Sequence, residues 1–190
     1  MLGESTRMML LVTNTFEKMG IPYAVGGSIA SSLHGVMRST IDVDIVADLR
    51  MDQIDSFIHE LSGQFYADDE MIRGAVERHS SFNLIHYETS YKVDVFIPKA
   101  RNFDRKQLER RRITPVAEDA KQAVYLVSAE DAVLAKLEWY QMGGEVSDRQ
   151  WRDILGVVKT KAGGLDLDYL RQMAMELKVT DLLERAISEV

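Results

Sequence analysis

Ala24-Val25-Gly26-Gly27-Ser28, followed after thirteen residues by Asp42-Val43-Asp44-Ile45, is the stretch on which the reading of this chain turns. The apolar run at 23–25 reads as a short strand. Residues 28–35 read as a short helix that starts at Ser28 and is stopped by Gly35. Residues 41–46 alternate acids with β-branched residues, which is a strand with one polar face. Successive side chains of a strand point to opposite faces. Asp42 and Asp44 therefore project together, while Ile41, Val43 and Ile45 face a core. Lys92-Val93-Asp94-Val95-Phe96 repeats the pattern later in the chain.

Outward from these stretches, residues 5–19 and 51–61 carry helical spacing. Residues 81–87 and 91–97 read as two strands around the turn Glu88-Thr89-Ser90, and 124–127 as a further strand. From Ser128 onward only helical patterns appear. Ser128 with Asp131 gives a start resembling a capping box. Val133, Leu134, Leu137 and Tyr140 form an apolar face, and further helices follow at 147–158, 166–177 and 180–190. The expectation is an α+β chain with a mixed sheet flanked by helices over 1–127 and a helical C-terminal part over 128–190.

The 190 residues are 46% hydrophobic, enough for a substantial core, and no apolar run is long enough to span a membrane. The first residues lack the basic-then-apolar order of a secretion signal. The absence of cysteine removes disulfides and thiolate metal sites. A cytoplasmic protein is expected. A net charge of −7 argues against extended duplex DNA as a partner. One dense basic run, Arg101, Arg105, Lys106, Arg110, Arg111 and Arg112, reads either as a solvated helix face or as a docking strip for a polyanion such as RNA.

The acids carry the chemistry. An Asp-x-Asp on an edge strand can be a mere solvent-facing stripe. Here Gly26-Gly27 lies between a strand and a helix, where backbone N–H groups can approach phosphate, and Ser28 adds a hydroxyl. Asp94 recurs between apolar residues, where an unpaired carboxylate is costly. Carboxylates so arranged suit two magnesium ions, with manganese as the alternative, beside a nucleoside triphosphate. His34, His59, His79 and His86 have no ligand-like spacing, although His79 could line a pocket. Trp139, Tyr140 and Trp151 read as core by default, with base stacking as the alternative. Gly143-Gly144 and Gly163-Gly164 read as helix stops.

Gly27-Ser28, the thirteen-residue gap, Asp42-Val43-Asp44-Ile45 and the later Asp94 resemble the signature of the nucleotidyltransferase superfamily that includes DNA polymerase beta. The segment from His34 to Asp44 looks most similar to abortive-infection type and minimal bacterial nucleotidyltransferases. Ser128-Ala129-Glu130-Asp131, Lys136-Leu137 and residues 149–154 resemble the helical part of that group, and the gap is at the long end for the superfamily. The resemblance implies a transferase that moves a nucleoside monophosphate from a triphosphate such as ATP to a hydroxyl of a small molecule, protein or RNA. Asp42, Asp44 and Asp94 would bind metal, and Asp94 would help deprotonate the acceptor. Gly26, Gly27 and Ser28 would hold phosphates. Lys136 would add a phosphate contact from the helical part, and Arg38 would pair with an acid of the cluster or reach a phosphate. Some relatives are toxins, so a toxin-antitoxin partner is a further expectation. The alternative is a nucleotide- or protein-binding module of the same fold with weak or no catalysis.

Overall fold

In the computed structural model, which describes residues 3–34, 43–116 and 122–190, helix α1 (Glu4–Lys18) comes first and buries Met8, Met9, Val12 and Phe16. Strand β1 (Tyr23–Val25), the short helix α2 (Gly27–Leu33) and strand β2 (Val43–Ala47) follow. The helical spacing at 51–61 resolves into a 3-10 turn (Met51–Gln53) and helix α3 (Ile54–Leu61). Next come β3 (Phe65–Tyr66) and α4 (Asp69–Arg78). The expected hairpin is formed by β4 (Ser81–His86) and β5 (Lys92–Phe96). Then α5 (Asn102–Glu109), β6 (Arg112–Pro115) and β7 (Ala123–Leu126) lead to four helices. These are α6 (Ala129–Met142), α7 (Asp148–Thr160), α8 (Leu167–Leu177) and α9 (Thr180–Ser188).

The described strands join in one mixed sheet in the order β3-β4-β5-β2-β1-β7-β6. β2 runs parallel to β5 and antiparallel to β1, and β1 runs parallel to β7. The fold is α+β, with helices packed on a mixed sheet. Among the described residues no helix is long and apolar enough to cross a membrane. Val43, Ile45, Val93 and Val95 have no exposed surface. A one-residue slip between β2 and β5 would turn these four out of the core, so hydrophobic burial sets the register.

Two hydrophobic clusters divide the interior. One joins the sheet to α1 and α3. The other joins α6 to α9, with Phe103 of α5 inserted among them. Arginines of the basic run stitch the two together. Arg101 pairs with Asp104 at 2.6 Å and with Glu138 of α6 at 2.5 Å. Arg110 reaches Glu130 at 3.3 Å, and its guanidinium lies 3.8 Å from the centre of the Tyr169 ring. Arg111 stacks over Tyr125. Arg101, Arg110 and Arg111 therefore belong to neither a solvated face nor a free strip, whereas Arg105 and Arg112 are exposed as a solvated face would have them. The first three are engaged inside the protein.

Asp131 is the centre of this stitching and has no exposed surface. It accepts hydrogen bonds from the Tyr169 hydroxyl at 2.6 Å and the Ser128 hydroxyl at 2.8 Å, and its own N–H donates to Ser128 Oγ at 3.1 Å. Burial raises the Asp131 carboxyl above its ordinary range, and burial together with the Asp131 bond raises the Tyr169 phenol. Removing a partner from such a cluster leaves a charge without compensation. Arg110→Ala is expected to lower stability by about 2–3 kcal/mol, toward the low side for a broken buried pair because Arg110 is partly exposed. Tyr169→Phe should cost about 1–2 kcal/mol. Urea denaturation of both variants measures this.

Candidate active site

The register of the parallel pair sets Asp44 directly beside Asp94, and two residues further Val46 beside Phe96. Both acids are half-buried, flanked within their strands by fully buried valine or isoleucine. Adjacent strands lie about 4.8 Å apart, so two carboxylates share a small volume. Like charges in that arrangement repel and favour a cation between them. Lys92, two residues before Asp94 on the same face, supplies one at 2.8 Å. That pair is substantially exposed, and pairs of this kind contribute about 0–1 kcal/mol, so an incoming cation can displace the lysine. On the other side of β5, Asn83 stands opposite Asp94.

The turn after β1 closes on Asp44. The Gly26 N–H donates to the Asp44 carbonyl at 2.9 Å. Gly27 sits at φ +56°, and a Cβ placed on it would lie 1.8 Å from Asp44 Oδ2. Only glycine satisfies both demands. Gly26 differs, because the nearest atom to an added Cβ is 4.0 Å away. The helix begins at Gly27 rather than Ser28, and no side chain caps it. Ser31 and Ser32 turn their hydroxyls back to the Gly27 and Ser28 carbonyls, and the His34 ring bonds the Val127 carbonyl at 2.9 Å. Burial lowers the His34 pKa below 6.5.

Asp44 and the Gly26-Gly27-Ser28 turn open into a cleft of about 840 Å³. Val46 and Phe96 extend its floor, and α6 walls it with Ala132, Ala135, Lys136, Trp139 and Met142. Arg149, Gln150 and Asp153 of α7 complete that side. Lys136 reaches the cleft, but it pairs with Asp153 at 3.1 Å in a mostly buried setting. Asp42 and Arg38 lie outside the described residues. Among the described residues no group of three or more His, Asp or Glu side chains is placed to hold a metal. The donors that Asp44 and Asp94 offer are hard carboxylate oxygens, which suit magnesium.

Trp139 is the residue that default core packing misassigns. Tyr140 and Trp151 are buried with ring centroids 5.2 Å apart. Trp139 is 48% exposed in the cleft, its ring inclined at 67° to Phe96 with centroids 5.8 Å apart. The available signal was rotational. Trp139 is three residues after Lys136 and seven after Ala132, opposite the stripe of Val133, Leu137 and Tyr140. His79 does line the cleft, bonding the Pro98 carbonyl at 2.6 Å. His86 is buried against Phe65 and Thr89. Gly143 caps α6, and Gly144 and Gly163 take positive φ after their helices.

No protein-family model matches the chain, and no curated protein matches it in sequence. Solved structures do match its fold. An antigenic nucleotidyltransferase-like protein from Paracoccidioides brasiliensis superposes with a TM-score of 0.56 at 16% identity, covering 98% of this chain and 93% of that one. The antibiotic-resistance factor ANT(2'')-Ia, solved with adenylyl-2''-tobramycin, gives 0.58 at 10% identity over 92% and 97%. The lincosamide antibiotic adenylyltransferase LnuA, solved with lincomycin, gives 0.53 at 16% identity over 84% and 98%. The chain shares the fold of these adenylyltransferase and nucleotidyltransferase-like structures.

Gly27→Ala should destabilise the protein by about 1–2 kcal/mol or more from the positive φ alone, with the clash at Asp44 in addition, whereas Gly26→Ala should remain close to wild type. Urea denaturation of the pair separates the two glycines. His34 gives a pH signature. Its folded pKa is depressed, so its contribution is present above the unfolded value of 6.5 and is lost as pH falls through that value toward the folded one. Melting temperature should therefore fall more steeply between pH 7 and pH 5 in wild type than in His34→Asn, as scanning calorimetry can measure.

Proposed function

We propose that this protein is a magnesium-dependent nucleotidyltransferase that moves a nucleoside monophosphate from a triphosphate to a hydroxyl and releases pyrophosphate. The observation that carries this reading is the juxtaposition of Asp44 and Asp94 in register on parallel strands, with Asp44 set against a glycine turn and lining the cleft. The fold shared with nucleotide-transferring enzymes supports it.

Asp44 and Asp94 would hold magnesium, together with Asp42 as the sequence pattern implies. When bound, two such ions neutralise the phosphates and acidify the acceptor hydroxyl. Asp94 Oδ orients that hydroxyl and takes up its proton. The backbone N–H groups at the start of α2, with the Ser28 hydroxyl, hold the β- and γ-phosphates. Lys136, steadied by Asp153, presents its charge to the triphosphate from the wall of the cleft. Arg38 is proposed as a second phosphate contact or a partner of the acids. The core over 1–127 thus supplies the acids and the turn, and the part over 128–190 supplies the wall. A toxin role with a cognate antitoxin remains a proposal that rests on the sequence resemblance alone.

Asp44→Asn and Asp94→Asn should each weaken magnesium-dependent triphosphate binding at least tenfold, about 1.4 kcal/mol, with no loss of thermal stability. Calorimetric titration with ATP in magnesium and in EDTA tests this, and equal binding by wild type and both variants would sink the reading. Labelled triphosphate incubated with a cell extract should then transfer label to the acceptor and release pyrophosphate in wild type only.

A further inference from the structure

We infer that the end of the cleft beyond the paired acids, walled by Phe96 and Trp139 and rimmed by Arg78 and Lys99, is the acceptor subsite and takes a flat ring that carries a negative charge. The inference rests on the nucleotidyl-transfer reading and deepens it. Its first support is direction. β1 is antiparallel to β2, with Val25 opposite Ile45, so the turn at Gly26-Gly27-Ser28 lies toward the start of β2. Val46 and Phe96 lie toward the ends of β2 and β5, and the acids stand between. In phosphoryl transfer the attacking and leaving oxygens sit on opposite sides of phosphorus, roughly in line. With the leaving phosphates at Gly27 and Ser28, the attacking hydroxyl enters from the Phe96 side.

The second support is the chemistry of that end. Trp139 is a large aromatic left half exposed inside a cleft, and its contact with Phe96 is edge-on, which leaves ring surface open. Such a surface gains free energy by stacking on a flat group. Ser81 pairs with Phe96, Ile97 N–H donates to the Ser80 carbonyl at 2.8 Å, and His79 bonds Pro98. These contacts bring the chain around Arg78 alongside that around Lys99, and both residues line the cleft. Of the cleft's other cations, Arg101 is matched by Asp104 and Glu138 and Lys136 by Asp153, while Arg149 stands on the α7 side rather than beside Phe96. Arg78 and Lys99 have no carboxylate partner among the described residues. The rim at this end is therefore cationic although the chain as a whole is acidic. A ring with an attached anion matches it, as in a phosphorylated nucleoside, free or at the end of a strand, whereas a polyamine would be repelled.

The test is calorimetric titration into protein saturated with magnesium and an unreactive ATP analogue, which keeps the donor end filled. The added probes are AMP, adenosine, a short oligoribonucleotide and spermidine. AMP should bind at least tenfold more tightly than adenosine, and spermidine should not bind. Trp139→Ala should weaken AMP about tenfold, equivalent to about 1.4 kcal/mol, and Trp139→Phe should retain most of the affinity. Arg78→Ala combined with Lys99→Ala should bring AMP to the adenosine level. Circular dichroism should show all variants folded, as expected for side chains on the surface of the cleft. A tighter oligoribonucleotide assigns the subsite to a strand end, and equal or weaker binding assigns it to a free nucleotide. Failure of the ATP analogue itself to bind removes the parent reading and this one with it. Analogue binding intact, with AMP equal to adenosine, unaffected by Trp139→Ala, or matched by spermidine, overturns this inference alone.

Discussion

Two carboxylates held abreast on neighbouring parallel strands set the terms for the rest of the molecule. Asp44 and Asp94 are brought together by the pairing of β2 with β5. Left to themselves, like charges would drive the strands to slip. The slip is blocked because Val43, Ile45, Val93 and Val95 are wholly buried on the opposite face. Electrostatic strain is thus maintained by hydrophobic burial, and Lys92 relieves part of it. The glycine turn adds a second constraint by occupying the space directly against Asp44, where a larger residue would displace the acid.

The helical part depends on a different device. Its apolar cluster is distinct from that of the sheet, and α6 lies where the two meet. One face of α6 carries Val133, Leu134 and Leu137 into the helical cluster. Another lines the cleft with Lys136 and Trp139. The buried group of Ser128, Glu130, Asp131 and Tyr169, with the partly exposed Arg110, holds the start of α6 against α5 and α8. Hydrogen bonds and charge pairs are directional, which apolar packing is not, so this cluster orients α6 and with it the wall of the cleft.

Much of this was legible in the residues. Alternation at 41–46 and 91–97 marked the strands, and the helices beyond Ser128 had clear starts and stops. α4 escaped notice because polar residues dominate it and it buries only Ile72 and Ala75, and α5, open to a helical reading only through its basic run, hides a face on which Asp104 and Gln107 are buried beside Phe103 and Leu108. β6 escaped because its side chains are mostly exposed, so the strand is defined by its pairing with β7 rather than by an apolar face. The basic run misled at Arg101, Arg110 and Arg111 because charge density in a sequence does not reveal which carboxylates will face it. Glu130, Asp131 and Glu138 lie about twenty to thirty-seven residues further on.

By itself, the sequence determined which residues could do chemistry. The spacing of Gly27, Asp44 and Asp94, the alternation around the acids and the absence of cysteine restrict the site to oxygen ligands and a close backbone turn. Those properties are local, since side-chain direction along a strand and the φ range of a residue follow from chemistry within a few bonds. Only the tertiary structure decided that Asp44 and Asp94 stand side by side, that Lys136 is bound to Asp153, and that Trp139 faces the cleft while Trp151 is buried. Each of these depends on strand order and helix rotation. Those are fixed by packing between segments far apart in the chain, and no local pattern encodes them.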